Sequence, residues 1–129
     1  MKNSTVLMEK VSIGLDISKN FIDVAIYDGN KYKVKKFKGN NEKVAFRIIK
    51  HTRKKYSLDN CLFTMEVTGT YHLIIANTLY LEGCNVSVVN PYKIKKFGEM
   101  LMVRTKTDKA DAKLIAQYGY KIEPTKFVY

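Results

Sequence analysis

The chain has 129 residues, a net charge of +11 from 23 Lys and Arg against 12 Asp and Glu, and 46% hydrophobic residues. That length suits one core and excludes a two-domain enzyme within these residues, while nine Tyr, six Phe and many aliphatic residues exclude a disordered chain. The longest uncharged stretch, Val67 to Leu81, is 15 residues broken by Thr, Gly, His and Asn, too short and polar to span a bilayer. With no signal-peptide pattern at the N-terminus, a cytoplasmic protein is expected.

Val11 to Ile17 reads as a buried strand, and Phe21 to Tyr27 alternates two faces as a strand does. Asp28-Gly29-Asn30 turns the chain into a third strand, Lys31 to Lys38, whose lysines face water. Asn40 is placed to cap a helix running to about Lys55, with Val44, Ile48 and Ile49 on its apolar side. Asn60 to Val67 is a further buried strand ending at Glu66. A helix over Thr70 to Leu81 should turn Tyr71, Ile74, Ile75 and Leu79 inward and stop at Glu82-Gly83. Asn85 to Val89 is a short buried strand ended by Asn90-Pro91. A variable basic segment follows, and Thr105 or Thr107 can cap a last helix carrying Ala110, Leu114, Ile115 and Tyr118.

Three meandering strands followed by two that alternate with helices make an α/β protein, a mixed five-stranded sheet flanked by helices. This is the element order of the ribonuclease-H-like fold. The expected organisation is an extension over 1–10, a folded domain over 11–120, and a tail or linker start over 121–129. Cys61 and Cys84 are isolated in apolar runs and read as buried free thiols rather than a disulfide or zinc ligands.

The charge is unevenly spread. Residues 31–55 hold eleven basic residues and one acid, residues 56–92 hold no Lys or Arg, and residues 93–113 hold seven basic residues. The run over 31–55 reads equally as a solubilising face or a nucleic-acid surface.

Four acids stand out against this background. Asp16 closes the first strand and Glu66 closes the fourth, and ligands collect at the carboxyl ends of strands in open α/β sheets. Asp108 and Asp111 are three apart at a helix start and so share one face. Taken singly, Asp108 suits a helix cap, Asp111 solvated surface and Asp16 a turn. Glu66 is harder to dismiss at the end of a buried run. Together, four such carboxylates repel unless cations neutralise them, which points to Mg²⁺ or Mn²⁺ and to phosphodiester chemistry. Lys19, Lys93, Lys95, Lys96, Lys106 and Lys109 are placed to hold a nucleic-acid backbone over such a site. Tyr71 and Tyr92 are either further contacts or core. His51 reads as surface, and His72 as packing at a helix start.

Gly14-Leu15-Asp16-Ile17-Ser18-Lys19, Glu66-Val67-Thr68-Gly69-Thr70-Tyr71-His72, Val88-Val89-Asn90-Pro91 and Lys106-Thr107-Asp108-Lys109-Ala110-Asp111-Ala112 together resemble the N-terminal RuvC-like domain of the bridge-RNA-guided IS110 transposases. The resemblance spans about Val11 to Tyr120. It implies a ribonuclease-H-like (RuvC-like) domain whose DEDD metal site maps onto Asp16, Glu66, Asp108 and Asp111. It also implies DNA and a structured guide RNA as partners, and a homo-oligomeric full-length protein. A C-terminal domain bearing a serine nucleophile is absent from these residues. The leading expectation is therefore the catalytic domain of an RNA-guided DNA transposase. The alternatives are a non-catalytic DNA/RNA-binding module of the same fold, and an actin-like ATPase fragment, which Gly14-Leu15-Asp16 also resembles but without the glycine expected after the Asp.

Overall fold

A computed structural model describes residues 10–102 and 111–126 of the chain. Its centre is a five-stranded sheet in the order β3-β2-β1-β4-β5. The strands are β1 (Val11–Ile17), β2 (Phe21–Tyr27), β3 (Tyr32–Lys38), β4 (Cys61–Glu66) and β5 (Asn85–Val89). β1, β2 and β3 form the antiparallel meander, and β1, β4 and β5 are parallel. The sheet is mixed, as the element order predicts.

The β2–β3 turn follows from its residues. The Asp28 carboxylate accepts hydrogen bonds from the Asn30 and Lys31 backbone N–H groups, and Gly29 takes a φ of 97°, which an L side chain resists. Only Phe37 of β3 is buried, because β3 is an edge strand with lysines on both faces.

Two faces of the sheet are covered differently. On one, α1 (Glu42–Arg53) and α2 (Leu73–Leu81) pack over Ile13, Leu15, Ile22, Val24, Phe63 and Met65, all essentially solvent-free. The N-cap of α1 is Asn41, whose side chain accepts from the Val44 N–H, so the expected cap lies one residue early. Asn40 instead donates to the Ser18 and Tyr71 carbonyls, tying the β1–β2 turn to the β4–α2 loop.

The inward face of α2 also differs from expectation. Ile75, Ala76, Thr78 and Leu79 are buried, while Tyr71 and Ile74 are about half exposed. In a helix segment with no charged residue, periodicity alone has little contrast to select a face.

The other sheet face carries α4 (Ala112–Ile122), which lies against β1, β2 and β4. Its backbone comes close because Gly14 of β1 and Gly119 of α4 lack side chains. A Cβ at Gly14 would collide with the backbone of Ala112 and Ala116, and one at Gly119 with the hydroxyls of Thr64 and Ser12. Ser12 donates its hydroxyl to the Ala116 carbonyl across this contact.

The segment after β5 forms a helix, α3 (Pro91–Met100), where the sequence reading placed a variable region. Asn90 accepts from the Tyr92 N–H as its cap and Pro91 occupies the first turn. Ile94 and Phe97 then pack against Leu114, Ile115 and Tyr118 of α4, with the Phe97 and Tyr118 rings edge to face at 5.4 Å.

Candidate metal and nucleic-acid site

The parallel pairing of β1 with β4 brings two of the four acids together. Gly14 pairs with Thr64 and Leu15 with Met65, so Asp16 and Glu66 occupy the next position on neighbouring strands. Both point to the α4 side, since side chains alternate along a strand and strand axes lie roughly 5 Å apart. Glu66 is 5% exposed, and Asp16 is half-buried.

A third carboxylate extends the row. Asp23 pairs directly with Asp16 across β1 and β2, and its carboxylate lies 3.2 Å from the Lys36 ammonium on β3. The sequence reading missed Asp23, although a hairpin with its turn at residues 18–20 already sets it opposite Asp16. Lys36 answers the charge of Asp23 from the third strand.

Asp111 is the N-cap of α4, its carboxylate accepting from the Leu114 N–H at 2.9 Å. It therefore stands at the entrance of α4 and not within it. Since Ala112 lies over Gly14 and Gly119 over Ser12 and Thr64, α4 runs antiparallel to β1. Its N-terminus thus faces the end of the sheet that holds Asp16. Among the described residues, no three His, Cys, Asp or Glu side chains are grouped to hold one metal ion. Asp108, Lys106 and Lys109 lie outside the described residues. Asp111→Ala should cost about 1 kcal/mol and lower the melting temperature by about 4 °C, whereas Asp111→Asn, which keeps the cap, should leave it unchanged in a thermal melt.

A hollow of about 530 Å³ opens beside Glu66 at the carboxyl ends of β1 and β4, lined also by Ser18, Lys19, Thr68, Tyr71 and Pro91. Lys19 thus lines the same hollow as Glu66. Lys93, Lys95 and Lys96 are exposed on α3, whose first residue forms part of the hollow's wall. Lys96 is paired with Glu99 at 3.2 Å and lies over the Tyr92 ring. Tyr71 and Tyr92, 47% and 63% exposed, are surface rings and not core.

His72 is buried before α2, and its Nδ1 accepts from the Thr68 N–H, so it organises the loop after Glu66. Burial pushes its pKa below the ordinary 6.5. The unfolded chain then binds the proton more readily, so the stabilisation is complete above 6.5 and is lost as pH falls through the lower folded value. His72→Asn, which can keep the acceptor, should make the fall in melting temperature between about pH 7 and pH 5 shallower than in the unmodified chain.

Cys61 and Cys84 are free and buried, with thiols pushed up by burial to about 12 and about 11. No helix among the described residues is long and apolar enough to cross a membrane.

A mixed sheet in this order, with helices on both faces, defines an α/β domain of the ribonuclease-H-like, RuvC-like fold. The Thermus thermophilus RuvC structure, solved with a Holliday junction substrate, is similar over 88% of this chain and 95% of that chain, with a TM-score of 0.57 and 12% identity. A family model described as Transposase, the DEDD transposases of the IS110 type, matches residues 13–128, and the chain belongs to that family. It is 34% identical over 117 residues to the pilin gene-inverting protein of Moraxella bovis, and 33% to that of Moraxella lacunata. In both cases the match covers 91% of this chain and 36% of the relative, so the chain spans about a third of their length.

Proposed function

We propose that this chain is the catalytic, metal-dependent domain of an RNA-guided DNA transposase or site-specific recombinase, cutting and exchanging DNA strands at the end of the sheet where Asp16 and Glu66 lie. The observation that carries this reading is the placement of those two acids on adjacent parallel strands of a chain in the IS110 transposase family. Two neighbouring carboxylates suit Mg²⁺ or Mn²⁺, which take hard oxygen donors and share their remaining positions among water and substrate phosphate. Asp16 and Glu66 would hold the ion, with Asp111 from the α4 N-terminus and Asp108 completing the set.

A bound divalent ion supplies Lewis-acid activation and neutralises charge on a phosphodiester in displacement. The protein's own residues do the rest. Glu66 is almost fully buried, so its charge acts in a poorly screened setting. Lys19 at the hollow, with Lys93 and Lys95 on α3 and Lys106 and Lys109 between α3 and α4 in sequence, holds the DNA backbone over the acids. The whole protein would act as a homo-oligomer with a structured guide RNA, in the cytoplasm at the nucleoid.

Isothermal titration with Mn²⁺ tests the metal site directly. The unmodified chain should bind, and Asp16→Asn should lose at least about tenfold in affinity. Equal binding by both proteins would remove Asp16 from the site.

A further inference from the structure

A second basic surface runs along the edge of the sheet. β3 is the edge of the sheet, and its end at Lys38 pairs with Phe21, two residues from Asp23, at the acidic end. From there the strand runs back through Lys36, Lys35 and Lys33, over roughly 23 Å. Lys33 and Lys35 sit on the α1 side, where Arg47 and His51 of α1 meet the buried Phe37 ring. Lys35 also lies over that ring, and Lys33 is within hydrogen-bonding reach of Lys55 just beyond α1.

These cations crowd one another. The neighbouring Lys55 amine holds the Lys33 pKa below the ordinary lysine value. Burial, and then Lys35, Lys54 and Lys33, lower that of His51. Charges on β3 alone would serve to blunt an edge against pairing. Convergence of α1 cations on the same edge is not needed for that: Asp28 offsets the charge of Lys55 in part, while Lys33, Lys35 and Lys54 crowd His51.

We infer that the β3–α1 edge is a phosphate-binding rail for double-stranded DNA, holding the flank of the duplex whose reacting phosphate lies at Asp16 and Glu66. The inference rests on the DNA-processing reading above for its substrate, and adds Lys33, Lys35, Lys54 and Lys55 as positioning residues. A duplex is favoured over a single strand because the rings beside the rail are covered by its own cations: Phe37 is buried beneath Lys35 and Arg47, and Phe21, 40% exposed, lies under Lys36. DNA is favoured over RNA because β3, whose Lys33 and Lys35 face the α1 side, ends at Lys38 beside the strand ends that carry the acids.

The experiment is equilibrium binding without divalent metal, using duplexes of about one and about two helical turns (~10 and ~20 base pairs). The unmodified chain should bind the longer duplex at least about tenfold tighter. A variant with Lys33, Lys35, Lys54 and Lys55 all changed to Gln should lose that gain, with its log–log salt slope shallower by about 3. The corresponding Arg variant should keep both, and thermal melts should show all three proteins folded. Asp16→Asn should retain the length gain, which separates this test from the metal-site reading. No gain with length in the unmodified chain, a Gln variant that keeps gain and slope, or a loss confined to an RNA duplex of equal length would each overturn the inference.

Discussion

Asp16→Asn and Glu66→Gln should each lower Mn²⁺- or Mg²⁺-dependent DNA strand cleavage by about a hundredfold to a thousandfold. These substitutions preserve shape and remove one negative charge from the pair that closes β1 and β4. A charged group in a water-poor site acts far more strongly than the same group in solvent, so losing one such group from a preorganised centre costs that order of rate. Both variants should fold, because the packing of β1 and β4 depends on Ile13, Leu15, Phe63 and Met65 on the opposite face. A cleavage assay on labelled duplex DNA, with Mn²⁺ affinity and a thermal melt alongside, distinguishes the outcomes. Retained cleavage and retained metal binding in both variants would leave the acids without a catalytic role.

Gly14→Ala should be the most destabilising small substitution in the chain, at about 3 kcal/mol, lowering the melting temperature by roughly 10–15 °C. The added Cβ would meet backbone atoms of Ala112 and Ala116 rather than a side-chain tip that can swing away. Either α4 lifts from the sheet or β1 bends. Lifting α4 also separates Ser12 from the Ala116 carbonyl and moves the Asp111 cap relative to Asp16. The variant should therefore lose metal affinity together with stability, unlike Asp16→Asn, which should lose affinity alone. Calorimetric unfolding of the two variants side by side gives the comparison.

Much of this architecture is legible without coordinates, and the reason is local. β1, β2, β4 and β5 are short runs bounded by turn residues with apolar side chains at alternate positions, and those positions form the core beneath α1 and α2. The amphipathic pattern of α1 is equally local, with Val44, Ile48 and Ile49 buried as their spacing requires. By contrast, α3 has three lysines in ten residues, and only Ile94, Phe97 and Gly98 are buried. Its helical signal was Asn90-Pro91, a cap followed by proline in the first turn, which reads as easily as the end of a strand.

The acids divide along the same line. Their chemical type and their positions at strand ends belong to the sequence, which by itself determined the order of elements, the excess of positive charge and the identity of the carboxylates worth testing. Only the tertiary structure decided which of them meet. Parallel register sets Asp16 beside Glu66, the hairpin places Asp23 opposite Asp16, and Lys36 reaches Asp23 from a third strand. Two glycines admit α4 so closely that its Asp111 cap is carried to the same end of the sheet. Spacing along a chain encodes which face a residue takes within its own element, whereas adjacency between elements comes from strand register and from the distance at which two backbones can pack.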